Sequence, residues 1–174
     1  MATFTWLQAL QVIVTVGGFA FAIWQLRSEY RWRRKQFALH VLAEWNDKTD
    51  AHRRGVEQGL PGLLDASAES PTLTEERAEA IYRAKSGDPD RELRIHIVEL
   101  LNYGEYVAVS YAEGVGDRRI LMGSLGRTVT RWYRQLKPYV LVTVKHRGFD
   151  PWKPLGKFVG EVEKSAGTTR GSRW

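Results

Sequence analysis

Few residues in this sequence could carry acid–base, nucleophilic or metal chemistry. The chain has 174 residues and no cysteine, which excludes thiol nucleophiles, disulfides and metal centres built on thiolates. No phosphate-binding loop, dinucleotide fingerprint or serine elbow is present. No pair of histidines has the spacing of a helical metal site; the four are His40, His52, His96 and His146. The sequence therefore predicts neither a metal nor a cofactor.

The polar pair Asn102 and Glu105 lies three residues apart, on one face of a predicted helix that is mostly apolar. A polar pair that is buried needs hydrogen-bond partners, and a guanidinium can bind a carboxylate through two parallel bonds. The candidate partners in the C-terminal third are Arg131, Arg134 and Arg147. We interpret these residues as a polar tie between core helices. The alternative is a ligand or catalytic site, because catalysis also uses buried glutamates with a perturbed pKa.

Arg91 and His96 offer an enzymatic alternative, with four residues between them on a predicted helix. The spacing resembles the arginine–histidine motif of the higher eukaryote and prokaryote nucleotide-binding (HEPN) ribonucleases, which are small helical bundles. However, Arg33 and Arg34 precede His40 at comparable spacing, and the 18 arginines of the chain make such matches frequent. The resemblance implies a membrane-tethered ribonuclease using Arg91 and His96, but the sequence favours a non-enzymatic protein.

The element that must position these residues begins with an apolar segment, Phe4 to Leu26, which contains no Asp, Glu, Lys or Arg. As a helix it would extend roughly 34 Å, enough to cross the hydrocarbon core of a bilayer. Trp6 and Trp24 lie near its ends, where indole rings suit the headgroup level. A cleaved signal peptide is the alternative, but no Lys or Arg precedes the segment. We predict a single-pass membrane anchor at residues 1–26.

A basic cluster follows the apolar segment directly, and we expect it to face anionic lipid or a protein partner. Because basic residues mark the cytoplasmic end of a membrane span, the sequence predicts an outer N-terminus and a cytoplasmic C-terminal domain at the cell inner membrane. Residues 118–174 are also basic, with thirteen basic and three acidic groups, which suits lipid, protein or nucleic acid; of these, nucleic acid is the least favoured partner for the protein. The alternative is that the acidic middle, residues 55–117, packs against the basic flanks within one domain. The cluster consists of Arg27, Arg31, Arg33, Arg34 and Lys35.

One face of the apolar segment is polar, because Gln8, Gln11 and Thr15 follow at steps of three and four residues. Glutamine that faces lipid is unfavourable, so this face is suited to contact another helix. Gly17 and Gly18 would allow a close approach of the two backbones. Since the chain has one such segment, the sequence predicts a homo-oligomer held through the transmembrane and stalk helices.

The rest of the chain predicts an all-α domain. Helical periodicity continues from the anchor through a basic stalk helix at 27–58, and a helical bundle follows at 59–165. Gly55 is a possible stop of the stalk helix, and Gly59 with Pro61 is a firm one. Thr74, Asp88 and Asp117 are predicted to cap successive helices, and Gly148 to end the last long one. Pro138 is predicted to kink or break that helix. Residues 166–174 are predicted to form a flexible tail.

Three stretches resemble a bacterial family of unknown function, domain of unknown function 4760. They are LLNYGEYVAVSYAEGVGDRRIL, RWYRQLKPYVLVTVKHRG and DPWKPLGKFV, and the resemblance is best over residues 92–161. They include the family's Leu-Asn-Tyr-x-Glu segment, here at residues 101–105. The resemblance implies a membrane helix, a basic stalk and a helical cytoplasmic domain, and it implies no activity. The sequence thus predicts a membrane-anchored interaction or regulatory module.

Overall fold

The computed structural model describes residues 2–65 and 73–171 of the chain, and the side chains of residues 6–65 and 73–167. Within these ranges it contains five helices and no strand, so the predicted all-α fold is confirmed. The helices are α1 (Ala2–Gly59), α2 (Glu75–Arg83), α3 (Pro89–Ala112), α4 (Arg118–Arg147) and α5 (Lys153–Gly171). The run at 139–144 is rich in β-branched residues, which favour strands, but it is helical because it lies within α4.

Helix α1 is one continuous helix of 58 residues, about 87 Å long. Its two halves have different surroundings: side chains 6–33 are exposed, whereas an inward stripe at three- and four-residue steps begins at Ala38. The buried members of this stripe are Ala38, Val41, Trp45, Thr49 and Val56. The predicted stalk from Ala38 onward is therefore a core helix of the bundle. Trp32 is 60% exposed and does not belong to the stripe.

Helices α3 and α4 are the central elements, since each of them packs against all four of the other helices. Gly104 of α3 lets α5 and α4 come close, because a Cβ there would lie 3.2 Å from Leu155 and 3.8 Å from Val129. Between α1 and α4 the rings of Trp45 and Trp132 stack with centroids 5.2 Å apart. Both indoles are about 95% buried, so the core extends from the docked half of α1 into the C-terminal helices.

The predicted helix boundaries are largely confirmed by the hydrogen bonds that form them. The side chains of Thr74, Asp88 and Asp117 accept backbone N–H groups in the first turns of α2, α3 and α4. Gly148 ends α4 with φ of +75°, a conformation in which glycine has no steric penalty. Local sequence signals therefore place most of the turns.

Neither Gly55 nor Pro138 ends its helix. Helix α1 passes through Gly55 and ends at Gly59, because Gly55 serves close packing against His96. Helix α4 continues through Pro138 to Arg147 without a break. Proline removes one backbone donor from the helix, but Leu136 and Tyr139 are buried on either side and hold both turns in the same core.

The C-terminal helix extends further than predicted. Residues 166–171 continue α5 in place of the first part of the predicted flexible tail, because the helical hydrogen bonding that begins at Lys153 runs on to Gly171. The remaining tail residues, 172–174, lie outside the described residues. Residues 66–72 also lie outside them.

The turn that follows α1 is held by Glu57, whose carboxylate accepts the backbone N–H groups of Gly62 and Leu64 at 2.7 and 2.9 Å.

Acidic residues of α2 meet the basic last turn of α4 where the two helices pack together. Glu79 accepts a 2.7 Å hydrogen bond from His146, whose ring stacks on Tyr82 with centroids 4.6 Å apart. Lys145 lies 4.0 Å from Glu75 beside this contact. Basic side chains in the last turn of α4 also suit the negative end of its helix dipole.

Candidate functional sites

The exposed half of α1 is the largest unpartnered apolar surface in the described part of the chain. Among the described helices, α1 is the single one that is long and apolar enough to cross a membrane. The mean hydropathy of its most apolar window is 1.7. None of that window is buried against the domain. Trp6, at one end, is 76% exposed, and Trp24, near the other, is 60% exposed. In this respect it differs from a long core helix of a soluble protein, whose apolar window is mostly buried.

A polar and small-residue stripe runs along this exposed half. Because α1 is continuous, the steps of three and four residues that begin at Gln8 keep these side chains on one face. Thr15 donates its hydroxyl to the carbonyl of Gln11 at 2.8 Å, which satisfies it within the helix. Nothing lies within 4 Å of a Cβ built at Gly18. The stripe comprises Gln8, Gln11, Thr15, Gly18, Ala22 and Gln25.

The predicted basic cluster divides into two groups in the structure. Arg27, Arg31 and Lys35 are exposed, and Arg33 is exposed but forms an ion pair with Glu29 one turn earlier. Arg34 instead belongs to the fold. Its carbonyl accepts the backbone N–H of Asp117 at 3.1 Å, and its guanidinium lies 3.3 Å from the carbonyl of Gly116.

Arg34 marks the point where α1 enters the bundle, since it binds the loop between α3 and α4. Eight residues, about 12 Å of helix, separate it from Leu26 at the end of the apolar segment. Beyond this loop, the exposed Arg118 and Arg119 begin α4. Arg118 donates to the carbonyls of Tyr111 and Ala112, at 3.0 and 2.9 Å. The end of the bundle next to the apolar segment is therefore basic.

Asn102 and Glu105 form a tie between helices, but their partners are in α5. Asn102 Oδ1 accepts the indole N–H of Trp152 at 3.0 Å. Glu105 Oε2 accepts the backbone N–H of Leu155, the third residue of α5, at 2.8 Å. The carboxylate thus caps a helix N-terminus, whose N–H groups have no partner within the helix and whose dipole favours negative charge.

The environment of Glu105 favours its neutral form. Removal from water raises the pKa of this half-buried carboxyl, the Leu155 N–H opposes that rise, and Asp150 adds to it. A raised pKa of a half-buried carboxyl is compatible with a catalytic role as well as with a structural role. The hydrogen bond to Leu155 gives the side chain a structural task that requires no substrate.

The predicted arginine partners of Glu105 are wrong. Arg134 is exposed and forms an ion pair with Glu163 of α5 at 2.8 Å. Arg131 lines a cleft between α4 and α1, and Arg147 lines a groove beside Tyr82 and Tyr139. The donor that Glu105 needed was closer, because the first turn of α5 presents backbone N–H groups that have no partner within the helix.

Arg91 and His96 do not share a site in the described structure. Five residues apart on α3, they are rotated by about 140° around the helix axis. Arg91 donates to the hydroxyl of Ser86 at 2.8 Å. His96 is linked through Nδ1 to Nδ1 of His52 at 3.0 Å, an α1 residue that the sequence analysis did not assign to a site.

The histidine pair depends on Gly55. A Cβ at that position would lie 2.2 Å from the His96 ring, so only glycine lets the imidazole rest against α1. In the sequence, this contact is indicated only by the spacing of His52 and Gly55, which are three residues apart and therefore share a face of α1. Within residues 6–65 and 73–167 no group of three His, Asp or Glu side chains could hold a metal ion.

The chain was compared with known proteins. A family model described as Domain of unknown function (DUF4760) matches residues 12–151, which include most of the apolar segment, the stalk and helices α2 to α4. This match begins earlier than the best part of the sequence resemblance and ends before its last ten residues, 152–161. No curated protein and no solved structure matches the chain. With about four-fifths of its length matched, the chain belongs to the DUF4760 family.

Proposed function

We propose that the protein is a membrane-anchored helical interaction module that associates with a second copy of itself. The observation that carries this proposal is the exposed, uncharged surface of α1 from Trp6 to Leu26. A surface of this size in water would drive aggregation, whereas a bilayer or a second helix would cover it.

Continuity of α1 favours an anchor over a leader peptide. The apolar segment passes without a break into residues 34–59, which the bundle needs for its core. The exposed Arg27, Arg31 and Lys35 stand between the two, where they suit the cytoplasmic headgroup level. We therefore place the bundle in the cytoplasm and the N-terminus on the opposite side of the membrane.

The basic end of the bundle is suited to contact the membrane surface. Arg34 docks the α3–α4 loop about 12 Å from the end of the apolar segment. The exposed Arg118 and Arg119 are next to that loop. At this distance they act within about one to two Debye lengths of the headgroups, close enough to attract anionic lipid. The same basic surface could hold an acidic protein partner.

Self-association through α1 is supported by the stripe that contains Gln11, Thr15 and Gly18. In hydrocarbon, glutamine side chains gain from hydrogen bonds to another helix, and glycine permits close backbone contact. A second copy presents the same stripe, so it provides hydrogen-bond partners for the glutamines and a close backbone contact at the glycine. A two-fold symmetric interface brings identical surfaces together in this way. We therefore expect a parallel pair of α1 helices in the membrane.

The absence of cysteine makes this interface directly testable. Gly18→Cys places a thiol on the stripe, and Ile13→Cys places one about 140° away from it around the helix. In membranes treated with a mild oxidant, we expect Gly18→Cys to form a disulfide-linked dimer and Ile13→Cys to remain monomeric. Equal cross-linking at both positions would show random collision, and absence of cross-linking at Gly18, Gln11 and Thr15 would contradict the interface.

A further inference from the structure

Helices α1 and α4 enclose a cleft of about 370 Å³ on the side of the bundle, within the size range of small-ligand sites. It was not expected from the sequence. Most of its exposed lining is polar, although apolar side chains such as Leu42 and Leu125 also contribute. None of the described residues that line it is acidic. Its polar lining consists of Asn46 and Arg53 from α1, and Ser124, Thr128, Arg131 and Trp132 from α4.

Two buried donors in this lining have no partner. The side chain of Trp132 is within a residue that is only 4% exposed, yet its Nε1 makes no hydrogen bond within the described part of the chain. The Nε of Arg131 is buried and unpartnered in the same way. Buried donors in folded proteins almost always have a partner, because leaving one unsatisfied is costly. Thr130 Oγ1 and Gln135 Oε1 of α4 are also buried without a partner, but neither residue lines the cleft. Within the lining, the two donors indicate a missing acceptor.

The cleft also carries positive charge without a counter-ion. Arg53 and Arg131 line it from α1 and α4, and neither forms an ion pair with any described residue. Their neighbours differ: Arg54 pairs with Asp50, and Arg134 pairs with Glu163. Arginine is the side chain best suited to bind phosphate oxygens, since its planar fork makes two parallel hydrogen bonds.

We propose that this cleft binds the phosphate group of a small ligand. Arg53 and Arg131 supply the charge from opposite walls, and the indole N–H of Trp132 donates to a phosphate oxygen. The hydroxyls of Ser124 and Thr128 provide further donors at the opening. The stacked rings of Trp45 and Trp132 form a rigid apolar wall that keeps the site in place without the ligand.

The phosphate comes from a soluble molecule and not from a lipid headgroup. Trp45 lies 19 residues beyond Leu26, which is about 28 Å along α1, and Arg53 lies further still. Headgroups of the membrane that holds α1 do not reach this far. Only this choice of source rests on the proposed membrane anchor, because the cleft itself is formed entirely within the bundle.

The site can be tested on the full chain in phosphatidylcholine nanodiscs with inorganic phosphate as the probe. Among the indole N–H signals of the seven tryptophans, Trp132→Phe identifies the one that belongs to Trp132. We expect phosphate, and not chloride at matched ionic strength, to shift this signal in a saturable way. Arg131→Gln should weaken binding about tenfold or more, since it removes charge-assisted hydrogen bonds. Arg53→Gln, at an exposed position, should weaken it without affecting folding.

Arg54→Gln is the matched control, because it removes the same charge at an adjacent residue outside the cleft. Its affinity for phosphate should equal that of the parent. An unmoved Trp132 signal, or equal weakening by Arg53→Gln and Arg54→Gln, would overturn the site. If nanodiscs containing phosphatidylglycerol shift the Trp132 signal without added phosphate, the ligand is a lipid and the assignment to a soluble phosphate is wrong.

Discussion

The carboxylate of Glu105 provides the sharpest test of how α5 is held on the bundle. Its Oε2 accepts the N–H of Leu155 in the first turn of α5, so Glu105→Ala leaves that donor without a partner. Loss of a helix cap costs about 0.5–2 kcal/mol of the free energy of unfolding. Loss of one member of a buried ion pair would cost about 3–5 kcal/mol. The structure therefore predicts the smaller cost.

Thermal unfolding followed by circular dichroism measures this difference. At roughly 2–4 °C per kcal/mol for a chain of this size, Glu105→Ala should lower Tm by about 1–8 °C. Glu99→Ala is the matched control, since Glu99 lies on the same helix and is exposed. It should leave Tm within a degree of the parent. Equal effects of the two substitutions would refute the cap, and a loss far above this range would restore the ion-pair interpretation.

Glu105→Gln separates charge from hydrogen bonding at the same position. The amide keeps an acceptor for Leu155 and is never charged, so it should destabilise less than alanine. Because burial raises the pKa of Glu105 in the folded state, its contribution is fully present below the ordinary glutamate pKa of about 4.3. That contribution is lost as pH rises through the raised value. The free energy of unfolding of the parent, relative to that of Glu105→Gln, should therefore rise as pH falls through this window.

Three other perturbations have defined outcomes. Gly55→Ala would place a Cβ 2.2 Å from the His96 ring and should cost about 1–3 kcal/mol in chemical unfolding, and the added substitution His96→Ala should relieve most of it. The hydrogen bond from His146 lowers the pKa of Glu79, so this carboxylate stabilises the fold above its ordinary pKa and loses that effect as pH falls through the lowered value. The difference in the free energy of unfolding between the parent and Glu79→Gln should therefore decrease as pH falls through the acidic range. Trp45→Ala should cost about 3–5 kcal/mol by opening a cavity between α1 and α4, measured as the urea midpoint.

The sequence predicted the elements better than their contacts. The all-α fold, the caps at Thr74 and Asp117 and the turn at Gly148 follow from local signals, which need no knowledge of distant residues. The roles of Gly55 and Arg34 depend on the remote segments that pack against them. From the sequence alone, Gly55 was predicted as a possible helix stop and Arg34 as a residue that faces lipid or a partner. Contacts between residues far apart in the chain leave no such local signal.

The same reason explains what was missed at the candidate sites. Asn102 and Glu105 could be recognised as a tie because two polar side chains share an apolar face, but their partner, a backbone N–H of α5, has no sequence signature. The phosphate cleft was invisible because Arg53 and Arg131 are 78 residues apart. Each looks like an ordinary surface arginine until α1 packs against α4.

The central claim, that α1 anchors the protein with its bundle in the cytoplasm, is tested most directly by thiol labelling in intact cells. The natural chain has no cysteine, so Thr3→Cys and Lys157→Cys each report one end without background. A membrane-impermeant maleimide should label Thr3→Cys in intact cells and Lys157→Cys only after the membrane is opened, with both proteins in the membrane fraction. Labelling of Lys157→Cys in intact cells, or recovery of full-length protein in the soluble fraction, would contradict the account.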